Sequence, residues 1–463
     1  MRRFSVLLLA CYELGHQPLS LAWPLAVLSP AGFPTTARDL SVTALNPAEV
    51  AQASLVAIAV PMHTALRLGV AAAQQVRAIN PQATIVFYGL YAWLNADYLL
   101  HGPGRDPLAD AVIGGEAEAP LLALAQALRA GDDPAGVPGV TTASQLAQPH
   151  LARPHLPVPD RASLPDLTHY AYYVAGGVGV PAGYTETSRG CRHTCRHCPI
   201  VPIYQGRFFI VPAATILADI RQQVAAGARH ITFGDPDFLN GPGHARRVAQ
   251  ALHAEFPYLT FDFTTKVEHI LQHRVLLPEL RQWGATFVVS AFEAVSDPIL
   301  ARLDKGHTAA DLDEALAILD AAGLAVQPTW VPFTPWTTRD DYLALLAWIR
   351  GRDLVAHVPA VQLSIRLLVP PHSALLAHPD AAGWCGPLDA ANFTYQWTHP
   401  DPGMDALQQA VARYTAQADD DPLTAFQAIE ALAYAQAGRP APPWPSPAGL
   451  KPPPPRLTED WFC

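Results

Sequence analysis

The sequence predicts an α/β protein whose two main units are both built from parallel sheets. Short apolar runs alternate with stretches of helical periodicity in residues 1–135, and the same alternation resumes in residues 181–375. The chain has 463 residues, of which 50% are hydrophobic and 15% charged, so it can fill two or three cores. We therefore expect an N-terminal doubly wound, Rossmann-like sheet followed by a second unit of strand–helix repeats.

The first unit is predicted from four apolar strands and two amphipathic helices. The strands are residues 5–9, 55–60, 84–88 and 111–113, and the helices are residues 64–79 and 120–130. Ligands of doubly wound sheets bind at the carboxyl ends of the strands. The loops there hold His16, His63 and the run Gly114, Gly115, Glu116, which makes them candidate binding residues.

The second unit contains six predicted strands with helices between them. The strands are residues 183–188, 230–233, 259–264, 286–290, 325–331 and 361–368, and helices are expected at 214–225 and 309–321. Parallel strands of this kind direct their carboxyl ends, and the loops that follow them, to one face. We expect the chemistry of this protein at that face.

Three further segments complete the organisation. Residues 136–180, rich in Pro, Ala and His, predict a linker or wrapping segment. Residues 376–437 predict a mostly helical C-terminal region, and residues 438–463 an extended, proline-rich tail rather than a packed element. The apolar start leads into Tyr12 without a cleavage-like site and reads as a first strand. No apolar run approaches a membrane span, and a net charge of −10 argues against a nucleic-acid-binding surface.

Three of the six cysteines, Cys191, Cys195 and Cys198, have C-x3-C-x2-C spacing. Three adjacent thiolates can hold three irons of a cubane [4Fe–4S] cluster and leave the fourth iron open, whereas a ferredoxin-type cluster takes four cysteines. A structural zinc site could instead combine the cysteines with His193 or His197, but no second ligand pair follows at zinc-site spacing. We favour the cluster.

At this motif the chain resembles the radical S-adenosylmethionine (SAM) superfamily. The run Glu-Thr-Ser-Arg-Gly at residues 186–190 and His197, directly before the last cysteine, resemble it as well. The resemblance implies that the open iron binds SAM. One electron from an external reductant would cleave SAM to a 5′-deoxyadenosyl radical. It also implies that residues 181–375 form a partial (β/α)6 barrel, and it places the chain in a reducing cytoplasm.

The resemblance further implies SAM contacts at the strand ends. The superfamily often has Gly-Gly-Glu after the second strand, where this chain has Asp235 and Asp237, and either carboxylate could take the methionine amino group. Lys266 could bind a carboxylate, Ser290 and Glu293 the ribose hydroxyls, and Arg366 a second carboxylate. Helix capping is the alternative for several of these residues.

A doubly wound domain before a radical SAM barrel resembles the cobalamin-binding class of the superfamily. The Asp-x-His-x-x-Gly motif that supplies an axial histidine is absent from the sequence, although members of this class often bind cobalamin without it. We therefore expect a cobalamin-binding-like domain in residues 1–135, contacting the cofactor through His16, His63 and the loop Gly114, Gly115, Glu116. The alternative is a domain that keeps the fold but binds substrate or nothing.

The C-terminal Trp461, Phe462 and Cys463 follow the proline-rich arm. This ending resembles a radical SAM group that finishes in Cys-Cys-Ala-Glu-Pro or Cys-selenocysteine-Ala-Glu-Pro. We hypothesise a selenoprotein interrupted at a UGA codon, in which Cys463 takes part in catalysis. A terminal cysteine without a role is the alternative. A codon other than UGA after position 463 would contradict the hypothesis.

The sequence thus predicts a radical SAM enzyme with a [4Fe–4S] cluster and SAM, with cobalamin-dependent methyl transfer to an unactivated carbon as the favoured reaction. A cobalamin-independent rearrangement or oxidation is the enzymatic alternative. A cluster-bearing or zinc-bearing sensor without catalysis is the alternative from another class. The identity of the small-molecule or peptide substrate does not follow from the sequence.

Overall fold

The computed structural model describes residues 4–102, 104, 106–417, 421–444 and 453–459. The first sheet has six strands in the order β2-β1-β3-β4-β5-β6, of which the first five are parallel and β6 is antiparallel to β5. The strands are β1 (Val6–Ala10), β2 (Thr35–Asp39), β3 (Leu55–Ala59), β4 (Thr84–Tyr88), β5 (Ala111–Ile113) and β6 (Val140–Thr141).

Helices pack on both faces of this sheet, as the doubly wound prediction requires. They are α1 (Leu19–Leu28), α2 (Pro47–Gln52), α3 (His63–Ile79), α4 (Leu90–Leu94), α5 (Ala96–His101) and α6 (Glu118–Ala130). All residues of β1 and β3 are buried, which explains why these strands read as continuous apolar runs.

Two strands of the first sheet were not predicted. In β2 the polar sequence Thr-Thr-Ala-Arg-Asp is only partly buried, because the strand lies at the sheet edge. β6 lies in the segment that we expected to be a linker, and its two residues extend the first sheet to residue 141. Arg161, from the same segment, is buried against Asp219 at 2.6 Å, so this stretch packs between the two units.

The second sheet has the order β14-β13-β12-β11-β8-β7-β17, in which β8 and β11 to β14 are parallel. It curls into a half-barrel. The strands of this unit, together with a two-stranded ribbon of β9 and β10, are β7 (Tyr172–Ala175), β8 (Val178–Thr185), β9 (Ser188–Gly190), β10 (Phe208–Ile210), β11 (His230–Phe233), β12 (Thr260–Thr265), β13 (Ala285–Glu293) and β14 (Ala325–Trp330).

Helices lie between these strands and after the last of them. They are α7 (Val201–Tyr204), α8 (Ala213–Ala225), α9 (Pro242–Glu255), α10 (Val267–Gln272), α11 (Leu276–Gln282), α12 (Asp297–Leu303), α13 (Ala309–Ala322) and α14 (Arg339–Gly351). Both α13 and α14 begin with a capping box, at Thr308 and Thr338. The partial barrel predicted from the sequence is confirmed.

The sixth predicted strand, residues 361–368, is not a strand in the structure. Residues Ala360–Ser364 form a 3₁₀ turn, and only Arg366 pairs with Phe333 as an isolated parallel bridge. Gln362 Oε1 accepts a hydrogen bond from the backbone N–H of Trp330, so a side chain replaces part of the missing strand pairing.

The C-terminal region contains a hairpin as well as helices. Its elements are α15 (Ala381–Trp384), β15 (Cys385–Asp389), β16 (Thr394–Trp397), α16 (Pro402–Gln417), α17 (Pro422–Gln436) and β17 (Arg456–Leu457). The prediction of an unpacked tail is wrong for residues 453–459, because β17 pairs antiparallel with β7 and Glu459 accepts a hydrogen bond from Tyr12.

The hairpin crosses to the carboxyl edge of the first sheet. Phe393, at its tip, is 2% exposed and packs with the first-domain core, with its ring centroid 5.1 Å from that of Tyr98. Ile203 from α7 joins the same core. The two units therefore share one interface at the edge where a doubly wound sheet binds its ligands.

Candidate active site

The cysteine loop begins where the β9–β10 ribbon ends. Gly190, the last residue of β9, has φ +77°, and a Cβ there would lie 2.5 Å from Tyr204 Cδ1 and 2.6 Å from the Arg207 carbonyl oxygen. Only glycine fits this position without displacing the helix that follows the loop. The loop is therefore held close to α7 at its start.

Asn240, which the sequence analysis missed, holds the first cysteine. Its Oδ1 accepts a hydrogen bond from the Arg192 N–H at 3.2 Å and lies 3.7 Å from Cys191 Sγ. Asn240 is buried in the turn after β11. Its sequence context is that of an asparagine beside a helix. The contact with Cys191 spans 49 positions, so no local pattern indicates it.

The three cysteines fit a cluster better than a zinc ion. Cys191 and Cys195 are buried, Cys198 is half-buried, and the Cys198 N–H donates to the Cys195 carbonyl at 3.1 Å. Burial raises the pKa of the Cys191 thiol to about 11, so a bound metal would have to displace its proton. His197, a candidate fourth zinc ligand, is directed instead to Glu293 at 3.3 Å.

Asp235 holds the entry to the cysteine loop. Its carboxylate accepts hydrogen bonds from the Thr187 N–H at 2.8 Å and from the Thr187 and Ser188 hydroxyls at 2.6 Å each. Burial raises its pKa to about 6, against the lowering effect of these donors. The carboxylate is therefore engaged within the protein, and it links the end of β11 to the start of β9.

Asp237 is bound in the same way to the end of the next strand. It accepts from the Thr265 hydroxyl at 2.7 Å and from the backbone N–H groups of Leu239 and Lys266 at 2.9 and 3.2 Å. Lys266, at the start of α10, directs its ammonium to Glu268 at 3.3 Å. Both strand-end aspartates thus brace the mouth of the half-barrel.

Glu293 lies at the end of β13 with a positive φ of 67° and faces the cysteine loop. Its Oε1 is 3.0 Å from Lys305 Nζ and 3.3 Å from His197 Nε2. Burial opposes ionisation of Glu293, but Lys305 and His197 outweigh it and hold the pKa well below its usual range. The glutamate is therefore ionised beside the cysteines.

Lys305 is a site residue that the sequence analysis missed. It is 2% exposed and comes from the loop between α12 and α13, where Asp304 and Gly306 both have positive φ. The run Asp-Lys-Gly-His at residues 304–307 carried the signal, as a lysine between turn residues before a capped helix. The Lys305 ammonium interacts electrostatically with Cys195 and Cys198, so it places positive charge where a cluster would carry negative charge.

Two predicted contacts are engaged elsewhere. The Ser290 hydroxyl is fully buried and donates to the Thr265 carbonyl at 2.8 Å, which joins β13 to β12. Arg366 binds Asp405 at 2.6 Å and lies over the Trp397 ring at 3.4 Å, both in the C-terminal region. Neither observation supports a contact with SAM. Cys463 lies outside the described residues.

His16 lies between the two units. Its ring stacks on Tyr184 of β8 with centroids 4.5 Å apart, and its Nδ1 is buried without a hydrogen bond. Burial lowers the pKa of His16 to about 3, so it is neutral in the folded protein. It acts as an interface residue between β1 and the half-barrel.

His63 and the glycine pair lie at the carboxyl edge of the first sheet. His63 Nε2 is 2.8 Å from the Asn392 carbonyl oxygen of the hairpin. Gly115 has φ +77°, and a Cβ on it would lie 2.4 Å from the His150 carbonyl oxygen, so the glycine allows a close chain crossing. Nearby, Trp93 packs on His372 with ring centroids 4.9 Å apart.

Glu116 joins a buried ion cluster across the interface. Arg189 Nη1 lies 2.9 Å from Glu116 and 2.7 Å from Glu118, and its Nε lies 3.1 Å from Glu186. Tyr204 also donates to Glu116, at 2.8 Å. Since Arg189 precedes Cys191 by two residues, the loop after β5 is bound directly to the entry of the cysteine loop.

Residues 185–343 match the family model of the radical SAM superfamily. They contain the three cysteines, the braced mouth and the Glu293–Lys305 pair. The chain therefore carries a radical SAM domain, as the sequence resemblance implied. No helix among the described residues is both long and apolar enough to cross a membrane.

Two kinds of curated relative match this chain at 25% identity. The tRNA-2-methylthio-N(6)-dimethylallyladenosine synthase of Geobacter sulfurreducens matches over 200 residues, 40% of this chain and 44% of the relative. The ribosomal protein uS12 methylthiotransferase RimO of Cereibacter sphaeroides matches over 190 residues, 37% of this chain and 39% of the relative. The matches therefore span less than half of each relative.

Two solved structures share the fold across nearly the whole chain. One is the cobalamin-dependent S-adenosylmethionine radical enzyme OxsB with aqua-cobalamin and S-adenosylmethionine bound (TM-score 0.68, 13% identity, 94% of this chain, 72% of that chain). The other is the radical S-adenosylmethionine methyltransferase TsrM from Kitasatospora setae with cobalamin and a [4Fe–4S] cluster bound (TM-score 0.66, 16% identity, 94% and 89%).

Proposed function

We propose that this protein is a cobalamin-dependent radical SAM enzyme that transfers a methyl group to an unactivated carbon. The observation that carries the proposal is the pairing of the two sheets. The carboxyl edge of the doubly wound sheet adjoins the cysteine-bearing mouth of the half-barrel, through Ile203, Phe393 and the Arg189 ion cluster. Fold similarity to OxsB and TsrM extends across both units and supports the same arrangement.

Cys191, Cys195 and Cys198 would hold a [4Fe–4S] cluster, with one iron left to bind SAM. Bound together, the cluster, SAM and cobalamin supply one-electron and methyl-transfer chemistry that side chains lack. The protein would keep the cysteine loop fixed through Asn240 and Asp235 and place the Lys305 ammonium beside the thiolates. Such a protein would need an external one-electron reductant and a reducing compartment such as the cytoplasm.

The SAM contacts in this proposal are Glu293, His197 and Lys266. These polar side chains lie at the mouth, and Glu293 and His197 lie beside the cysteines. Glu293 would accept hydrogen bonds from the ribose hydroxyls, and Lys266 would pair with the methionine carboxylate. Asp235 and Asp237 would position the loops rather than bind SAM, because their oxygens already accept several internal hydrogen bonds.

The corrinoid would lie at the edge that His63, Tyr91 and the hairpin tip border. The His63 ring lies 6.0 Å from that of Tyr91 and 6.2 Å from that of Phe393, in edge-on contacts. An aromatic and histidine-lined edge would suit a large planar ring held by packing. Phe393 would also limit the entry of water to the interface.

Methylthio transfer is the second candidate reaction. Of the two curated relatives, one is named a tRNA-2-methylthio-N(6)-dimethylallyladenosine synthase and the other a ribosomal protein methylthiotransferase, which favours methylthio transfer. The two candidates differ in the first domain, because the methyl transfer proposed here needs a corrinoid. Corrinoid content therefore separates them, and it also tests the cobalamin-independent alternative.

The first experiment is to measure iron, sulfide and corrinoid in protein purified without oxygen from cells supplied with cobalamin. About four irons, four sulfides and one corrinoid per chain are expected. A variant with Cys191→Ala, Cys195→Ala and Cys198→Ala should lose iron and sulfide but keep the corrinoid. Cys385→Ala, a half-buried cysteine in β15, is the matched control and should keep all three.

Two outcomes would contradict the proposal. Iron and sulfide that persist in the triple variant would exclude these cysteines as ligands. A full cluster without corrinoid would leave the radical SAM domain intact but exclude methyl transfer through cobalamin. Release of 5′-deoxyadenosine or S-adenosylhomocysteine from SAM distinguishes an enzyme from a sensor. The intact protein and the Cys385→Ala control should release these products, and the triple variant should not.

A further inference from the structure

Two histidines and an aspartate meet at the inner side of the cysteine loop. His193 comes from the loop itself, Asp237 from the turn after β11, and His269 from α10. One ligand atom from each lies within 4.8 Å of the other two. The side chains of Asp237 and His269 are fully buried, and that of His193 is 11% exposed. Three separate elements thus direct metal-binding groups to one point.

The two imidazole rings face each other through the same nitrogen. His193 Nε2 lies 3.1 Å from His269 Nε2, and each Nδ1 lies near a carboxylate. His193 Nδ1 is 3.6 Å from Glu268, and His269 Nδ1 is 2.9 Å from Asp237. Without an ion, one Nε2 donates this contact and the other accepts it. When a metal binds, the shared proton moves to the outer nitrogen of its ring, and both Nε2 lone pairs are free for the ion.

A metal ion can take the place of the proton between these two nitrogens. With metal–nitrogen bonds of about 2.1 Å, two nitrogens 3.1 Å apart subtend about 95° at the metal, an ordinary angle between neighbouring ligands. Asp237 Oδ2, 3.9 Å from His193 Nε2, is within reach as a third ligand. Two histidines and one carboxylate form a common ligand set for divalent first-row transition metals.

Unsatisfied nitrogens in this region give independent support. His269 Nδ1 is buried and makes no hydrogen bond, although Asp237 Oδ2 is 2.9 Å away, so this side of the ring has no directed contact. His273 adds another buried nitrogen without a hydrogen bond, and its ring centroid lies 5.4 Å from that of His269. Buried polar atoms without partners are costly unless a ligand satisfies them.

The local charge also suits a cation. Asp237 and Glu268 are opposed by the Lys266 ammonium, which lies 3.3 Å from Glu268. One carboxylate charge therefore remains in excess beside the two rings. We propose that His193, His269 and Asp237 bind one divalent first-row transition metal ion, such as Zn²⁺, separate from the cysteine site. The ion fastens the cysteine loop to the ends of β11 and β12.

Metal content tests this proposal directly. Protein with a reconstituted cluster is dialysed against a small excess of Zn²⁺, and zinc is counted per chain; cobalt is unsuitable there because a corrinoid also contains it. One zinc per chain is expected. His269→Phe should weaken zinc binding at least tenfold. His193→Asn, at the partly exposed position, provides a second variant if His269→Phe does not fold.

The control is His230→Gln. His230 is also a fully buried histidine beside an aspartate, at 2.8 Å from Asp262, but it lies at the start of β11 rather than at its carboxyl end. This variant should bind zinc as the parent does. Equal zinc binding by the parent and both His269→Phe and His193→Asn, or no stoichiometric zinc in the parent, would overturn the proposal.

A second arm separates this site from the cluster. The triple cysteine-to-alanine variant lacks the thiolates, so Co²⁺ added to it reports nitrogen and oxygen ligands through weak visible bands. One equivalent of Co²⁺ should bind and be displaced by Zn²⁺. If the parent protein lacks iron and sulfide but this Co²⁺ site persists, the cluster assignment fails while the histidine site stands.

Discussion

Lys305 Nζ lies 3.0 Å from Glu293 Oε1, and both residues are buried beside the cysteine loop. The pair joins the end of β13 to the loop before α13, and His197 binds the same carboxylate oxygen. Two buried charges that neutralise each other are tolerated, but either charge alone is not. The pair therefore controls the stability of the mouth as well as its charge.

Lys305→Met should destabilise the cluster-free protein by about 3–5 kcal/mol, because it leaves the Glu293 carboxylate buried without its cation. The free energy of unfolding is measured by chemical denaturation. The double variant Lys305→Met with Glu293→Gln should recover a large part of this loss. If the double variant instead loses the sum of the two single losses in the free energy of unfolding, the two side chains do not depend on each other.

Arg189→Met should loosen the interface between the two units. It leaves Glu116, Glu118 and Glu186 without the guanidinium that neutralises them, and burial already raises the pKa of Glu186 to about 7. We expect faster proteolytic cleavage between residues 136 and 180 and a lower melting temperature.

The matched control for Arg189→Met is Arg221→Met. Arg221 also binds a glutamate, Glu255, at 2.6 Å, but its side chain is 53% exposed, so water replaces the lost contact. The control should melt and digest like the parent. Identical digestion patterns for both variants would contradict a role of Arg189 at the interface.

His16→Phe should make the protein less sensitive to acid. The pKa of His16 is about 3 in the folded protein, against about 6.5 when unfolded, so below pH 6.5 the unfolded chain binds a proton that the folded chain does not. Stability is therefore lost as the pH falls from about 6.5 towards 3, by up to about 1.4 kcal/mol per pH unit.

Unfolding curves at pH 5 and pH 7 measure the His16 effect. Phenylalanine keeps the stacking on Tyr184, and the variant should show a smaller difference between the two pH values than the parent. His101→Phe is the control, because the His101 side chain is 56% exposed and should leave the pH dependence unchanged. An unchanged pH difference in His16→Phe would refute this assignment.

Phe393→Ala should release the hairpin tip from the first domain. Removing a fully buried phenylalanine costs about 3–5 kcal/mol, here from the contact that holds the β15–β16 hairpin against Tyr98 and His63. Hydrogen exchange in the hairpin measures the release. Leu388→Ala in the same hairpin, at a residue 42% exposed, should have little effect. Equal exchange in both variants would exclude Phe393 as the anchor.

Local patterns in the sequence were sufficient for much of the fold. The strands at residues 84–88, 111–113 and 230–233 have the predicted bounds. The first two read as apolar runs because parallel strands are covered on both faces, whereas the third also buries His230 and Thr232. The edge strand Thr35–Asp39 was missed because it is polar and half-exposed. The expected strand at 361–368 was wrong because a buried apolar run also suits a 3₁₀ turn.

The cysteine motif, and with it the class of chemistry, is evident from the sequence alone, since C-x3-C-x2-C spacing is a local property of eight residues. Which side chains surround those cysteines depends on the folded chain. Asn240 and Lys305 reach the loop from 49 and more than 100 positions away, and Arg189 meets Glu116 across 73 positions. Such contacts depend on how the sheets pack together, and no spacing in the sequence records them.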